Sequence, residues 1–225
     1  MKSLNSKTWL AVAIVAVVMG LLIFVPAGTV HYWQAWAYLS IFTGASALTT
    51  VYLMRKDPAL LARRMSGGPT AEPRRVQRLI MLCASLGFVA LLVVPALDHR
   101  FGWSRVSLVG VVTGDVLVAL GFYLISRVFK ENTYTSATVE VAENQKVIST
   151  GPYAIVRHPM YASAFLYLVG TPPALGSCWG LVPMAVLTPV LIWRLLDEER
   201  LLARDLAGYT EYQKRVRHRL VPFVW

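Results

Sequence analysis

Apolar residues along the chain gather into six runs, at about 9 to 27, 32 to 54, 79 to 97, 106 to 127, 160 to 176 and 179 to 196. Runs of roughly 17 to 24 residues match a hydrocarbon core ~30 Å thick at ~1.5 Å per helical residue, so they predict membrane-spanning helices. The last two runs are short, and the Pro/Gly-rich stretch 170–177 between them predicts a tight reversal joining a helical hairpin. Lys2 and Lys7 precede the first run as they would in a secretory signal. That run is nevertheless longer than a signal's apolar stretch and lacks a small-residue cleavage site, so it is expected to stay as a span. The expected fold class is all-α: a polytopic transmembrane helical bundle of five to six spans with a cytoplasmic cofactor pocket.

The polar segments between the runs differ in character. Residues 58–65 form a short amphipathic stretch within loop 55–78, predicting an interfacial helix with Leu60 and Leu61 towards acyl chains and Arg63 and Arg64 towards phosphates. Residues 130–150 are polar and β-branched without helical periodicity, which predicts an ordered loop or short hairpin, long enough to suspect function. The tail is charged and helical to about 206, then aromatic and basic, and is expected to fold back against the membrane. This divides the chain into 1–129, four spans with a basic loop, and 130–225, which holds the candidate chemistry. In the fourth run, Gly110 and Gly114 form a small-xxx-small pair for close helix approach. With no strand before them they are not a nucleotide loop. Asp115 beside them is a costly ionisable residue inside a span.

Composition sharpens the picture: 56% of residues are apolar and 15% charged, far from the soluble average. With six crossings, 19 of the 22 Lys and Arg fall on one side, while Arg100 and Arg105 lie opposite and Arg127 sits at a span edge. Basic loops stay in the cytoplasm, so both termini are expected there. The net charge of +10 flanks the spans without any nucleic-acid motif, which excludes DNA or RNA as the natural partner and favours anionic lipid headgroups. No obligate protein partner is implied. Cys83 and Cys178, both in or beside apolar runs, suggest neither a disulfide framework nor a zinc site, and no metal is expected.

Two charged clusters carry the candidate chemistry. Arg157-His158-Pro159-Met160-Tyr161 opens the fifth run, with Pro159 suited to a first helical turn and Tyr161 on the same face as His158. On its own this reads more simply as a helix start with Arg157 reaching headgroups and Tyr161 in the aromatic belt. At the end of the sixth run, Arg194 and Glu198 share a helix face in the less favourable order for an intrahelical pair, so they suit a ligand: Glu198 for an ammonium, Arg194 for a carboxylate. Asp197, Glu199 and Arg200 are expected to be solvated. Consecutive spans lie side by side, so the two clusters should form one site open sideways to lipid.

The stretch from Gln145 through Gly151, Pro152, Tyr153 and Arg157 to Tyr161, followed by Arg194, Glu198, Glu199, Gly208, Tyr209, Tyr212, Val221 and Pro222, resembles the isoprenylcysteine carboxyl methyltransferase family over about 130–225. The resemblance implies a membrane enzyme that binds S-adenosylmethionine (AdoMet) without a Rossmann fold. It carries Gln145, Lys146, Val147 and Ile148 onto the loop lining the cofactor, and Tyr153, His158, Pro159, Met160 and Tyr161 onto cofactor contacts. Glu198 falls on the carboxylate near the methionine amine and Arg194 on the arginine holding the acceptor carboxylate, the two residues assigned to catalysis. The chain departs from the family at Ser163, usually Gly, and at Gln145, often His.

Methyl transfer from a sulfonium is an in-line displacement dominated by positioning and desolvation. A carboxylate acceptor needs no base. An amine or thiol would need His158 or Glu198 as one. The expected function is AdoMet-dependent methylation of a lipophilic acceptor entering from the bilayer. Two alternatives stay open: an NADPH-dependent membrane reductase of the sterol reductase type, whose C-terminal motif is similar, and a non-catalytic membrane ligand-binding protein.

Overall fold

The computed structural model describes residues 2–225, with side chains from residue 6 onward, so the side chain of Lys2 lies outside the described residues. Its α-helices are α1 (Lys2–Ala27), α2 (Trp33–Lys56), α3 (Pro58–Met65), α4 (Arg75–Phe101), α5 (Leu108–Glu131), α6 (Pro159–Ala174), α7 (Leu181–Asp205) and α8 (Tyr209–Arg215), with a 3-10 turn at Gly151–Ala154. Among the described residues there is no strand, so 132–150 is a chain of turns and not a hairpin. Four helices, α1, α2, α4 and α5, are long and apolar enough to cross a membrane. α6 has 16 residues, or ~24 Å of helix. α7 runs nine residues past the expected end of its apolar run, carrying its charged end out of the apolar layer.

The last two helices do not pack as a closed hairpin. They are joined by a short turn, but α6 packs chiefly on α5 and α7 on α4, so the pair is splayed. Glycines decide this. A Cβ on Gly114 would stand 2.3 Å from Ala174 N, and one on Gly121 would stand 2.9 Å from Ser163 O, so α5 meets α6 backbone to backbone. Ser163, where a glycine was expected, is buried with its hydroxyl turned onto Pro159 O (2.7 Å), and the space is supplied by Gly121 opposite. Gly110 plays no part in this contact: a Cβ there would meet Val106 of its own helix start.

Two polar clusters mark the ends of the bundle. At one, buried Asp98 near the end of α4 accepts from Ser104 N (2.7 Å) and from the Ser177 hydroxyl, tying the α6–α7 turn to the α4–α5 turn. Asp98 is far more buried than Asp115, whose Oδ1 nevertheless lacks a partner. Exposed Trp33, Trp36, Phe101, Trp103 and Trp179 ring this end. At the other end, 21 residues back along α4 and so about 32 Å away, Gln77 and Arg74 bind Asp197 of α7.

The amphipathic stretch is a helix, α3, but it is not laid on lipid by its leucines. Leu60 and Leu61 are buried against Leu53 and Phe129, and Arg63 and Arg64 donate to the main chain of the 132–150 loop at Thr133 and Ser136. The pattern of an amphipathic helix is the same whether its apolar face meets lipid or protein.

Candidate functional site

At the Gln77 end, the splay of α6 and α7 leaves a cavity of about 710 Å3, roofed by the 132–148 loop. The structure brings every residue that the resemblance assigned to cofactor or acceptor to its wall, while Asp115 lies outside it. Gln145, Lys146, Val147 and Ile148 line it from the loop, and Tyr153 from the 3-10 turn. His158, Pro159, Met160 and Tyr161 line it from the start of α6, and Arg194 and Glu198 from α7. The cavity is polar at the roof and apolar below, where Ile14, Val18 and Leu22 of α1, Met81 and Phe88 of α4 and Leu187 and Leu191 of α7 continue it towards the bundle centre.

Local bonds hold the polar walls. Tyr161 donates to Glu198 Oε2 over 2.6 Å, linking α6 to α7 across the site. Its ring stands edge-on to His158 with centroids 5.9 Å apart. Tyr153 accepts from Asn132 Nδ2 (2.9 Å), while its carbonyl accepts from Tyr212 Oη (2.8 Å). Gln145 accepts from Ala142 N (2.9 Å) through its side chain and so shapes its own turn. Asn144 takes a φ of 57° there, a left-handed conformation that Asn tolerates.

The charges expected to be solvated are buried instead, apart from exposed Arg200. Asp197 accepts from both Arg74 nitrogens (2.7 and 2.9 Å) and from Gln77. Glu199 accepts from Arg157 Nε (2.7 Å) and Arg219 Nε (2.8 Å), with His158 Nε2 3.5 Å away. Burial alone would raise the Glu199 carboxyl, but its contacts with His158, Arg219 and Arg157 outweigh it and hold the group at about 2. Arg157 therefore does not reach out to headgroups. It also donates to Val216 O and Arg217 O, and Arg157 N and His158 N bond to His218 O and Arg219 O. The tail after α8 is thus clamped onto the motif, with Phe223 and Val224 exposed beyond it.

Arg194 is engaged by partners far away in sequence. Its Nη2 pairs with Glu72 Oε1 at 2.7 Å and donates to Ala137 O at 3.0 Å, and Nη1 donates to Gln77 Oε1 at 2.8 Å. Glu72 is almost completely buried and also accepts from Val139 N (3.1 Å). A helix end rich in charge looks solvated in a sequence, because the partners that bury it lie 20 to 123 residues away.

These walls hold the residues that the resemblance pointed to, and known proteins share the resemblance itself. Residues 109–207 match the phospholipid methyltransferase family. The chain is 28% identical over 153 residues to the protein named protein-S-isoprenylcysteine O-methyltransferase B of Arabidopsis thaliana, covering 65% of this chain and 73% of that protein. It is 29% identical over 140 residues to a probable protein-S-isoprenylcysteine O-methyltransferase of Oryza sativa subsp. indica, covering 59% and 68%. The family match spans α5 to α7, so Arg64, Glu72 and Gln77 lie outside it. Glu72 and Gln77 were missed from the sequence, with only their place in a polar, basic loop to hint at them, and Arg64, read there as facing phosphates, stands on the cavity wall instead.

Proposed function

We propose that the chain is an integral membrane methyltransferase that uses AdoMet and methylates a lipophilic acceptor carrying a carboxylate. The observation that carries this is the single cavity in which a polar chamber under the loop runs into an apolar arm among α1, α4 and α7. Its volume lies within the usual ~300 to 1,000 Å3 of small-molecule sites. The chamber suits the cofactor: Tyr209 Oη is buried on its wall without a hydrogen-bond partner, and Glu198 gives only Oε2 to Tyr161. In this reading Glu198 holds the ammonium, the loop 145–148 and Tyr153 hold the adenosine portion, and His158 to Tyr161 close the chamber.

The cofactor supplies a methyl on a cationic sulfur, whose transfer to a carboxylate oxygen leaves a neutral thioether and an ester with no proton to place. The protein's part is to orient, pair the acceptor's charge and exclude water. Tyr161 fixes Glu198, and Glu72 with Gln77 fixes Arg194. The lining residues Ile14, Val15 and Val18 are also exposed on the outer face of α1, which supports access for the acceptor from the bilayer.

The same reading takes α6 and α7 as two further crossings, giving six, because the 175–180 turn lies level with Asp98 and Asp197 lies level with Arg74. The basic residues at the cavity end support a cytoplasmic site and cytoplasmic termini, with anionic headgroups as neighbours. The test is calorimetry on the purified protein. S-adenosylhomocysteine should bind and NADPH should not, and Glu198→Ala should abolish binding. A lipid extract incubated with labelled AdoMet should then yield a labelled, base-labile product. NADPH binding without S-adenosylhomocysteine binding refutes the proposal.

A further inference from the structure

α3 sends Arg64 to the wall of the cavity, where Met160 and Tyr167 of α6 and Ser136 of the loop also stand. Arg64 Nη1 donates to Ser136 O over 2.7 Å, and its guanidinium carbon is 5.3 Å from the centre of the Phe129 ring. Tyr167, Arg194 and Tyr161 are its electrostatic neighbours, and withdrawal from water pushes Arg64 below the usual arginine range. The other arginines around the site each have a carboxylate: Arg74 has Asp197, Arg157 and Arg219 have Glu199, and Arg194 has Glu72. Among the described residues Arg64 forms no ion pair.

Arg64 is half-buried, and a cation even partly drawn out of water without a counter-charge gains when an anion meets it. The arginine that the sequence marks for the acceptor, Arg194, is already neutralised by Glu72. We propose that Arg64 is the residue that receives the acceptor's carboxylate, with Arg194 held beside it as a positioned hydrogen-bond donor. This rests on the methyltransferase reading for the chemistry of the acceptor. It also gives a reason for product release, since the methyl ester carries no charge for Arg64 to pair with. A planar guanidinium suits two carboxylate oxygens, which a lysine would meet as a point charge.

The experiment uses the full chain in nanodiscs of neutral lipid, as wild type, Arg64→Gln and Arg64→Lys. Binding is measured for an S-farnesyl cysteine derivative with a free carboxylate, for its carboxamide, and for phosphatidic acid. Wild type should prefer the carboxylate to the carboxamide by about tenfold or more, the value of a charge-assisted hydrogen bond. R64Q should lose the preference and R64K should keep only part of it. The proposal is overturned if R64Q retains the preference, if wild type shows none, or if the loss is confined to phosphatidic acid, which would make Arg64 a headgroup contact. If R64Q does not fold, R64K decides alone, and an unchanged preference overturns the proposal. S-adenosylhomocysteine binding on the same samples separates the two readings. Its absence from wild type refutes the methyltransferase assignment, while its persistence in R64Q isolates the change to the acceptor side.

Discussion

Replacing Glu199 with Gln removes the one charge that holds the C-terminal tail, the motif arginine and the start of α6 together. The carboxylate is buried and meets Arg157, Arg219 and His158. Its fall from 4.5 to about 2 corresponds to roughly 3 kcal/mol at ~1.4 kcal/mol per pH unit. Removing one partner of a buried pair independently suggests about 3 to 5 kcal/mol, because Arg157 stays behind uncompensated. For a chain of this size that is a melting shift of roughly 6 to 12 °C. Since the folded value is depressed, the stabilisation is fully present above about 4.5 and is lost as pH falls through about 2. Melting of wild type and E199Q in one detergent, from pH 7 to pH 2, should give curves far apart at neutral pH that converge between 4.5 and 2. Curves that stay parallel through that window, or that coincide at pH 7, refute the assignment of Glu199 as the ionised hub.

Three further outcomes follow from contacts already described. Tyr161→Phe removes the 2.6 Å bond to Glu198 and should weaken S-adenosylhomocysteine binding by about tenfold or more in calorimetry, with the fold intact. Glu72→Ala strands Arg194 and should cost about 3 to 5 kcal/mol in denaturant-induced unfolding. The control is Arg204→Ala, which breaks an exposed pair with Asp205 and strands no buried charge: it should leave the unfolding midpoint unchanged, and equal losses for the two would show that burial does not set the scale. Gly114→Ala places a Cβ against the α6 backbone and should cost at least about 1 to 3 kcal/mol by overpacking, seen as a lower melting temperature.

Apolar runs located the long helices because a helix end in lipid is marked by the first charges. The motif at the start of α6 was legible because Pro159 opens α6 and places His158 and Tyr161 where they share a face. What could not be read were pairings between distant segments. Nothing about Glu72 or Gln77 in a polar loop says that they meet Arg194, more than a hundred residues away. Nor does the spacing of Gly114 and Gly121 say which helix will use them, and that choice turns a hairpin into the splayed pair that opens the cavity. Leu60 and Leu61 show the same limit, since hydropathy does not distinguish a lipid from Leu53 and Phe129.

The cavity's division into a hydrogen-bonded roof and an apolar arm has a consequence for how such a protein changes. The polar chamber depends on bonds among the loop, α6 and α7, where almost any exchange breaks a partner. The arm is shaped by Ile14, Val18, Met81 and Phe88, whose side chains contribute only volume. Exchanges among apolar residues of similar size are well tolerated in packed interiors. On the proposed reading, the apolar arm on α1 and α4 can change its ligand while the polar chamber is inherited unchanged, and a library confined to those four positions is where altered ligand selectivity should be sought.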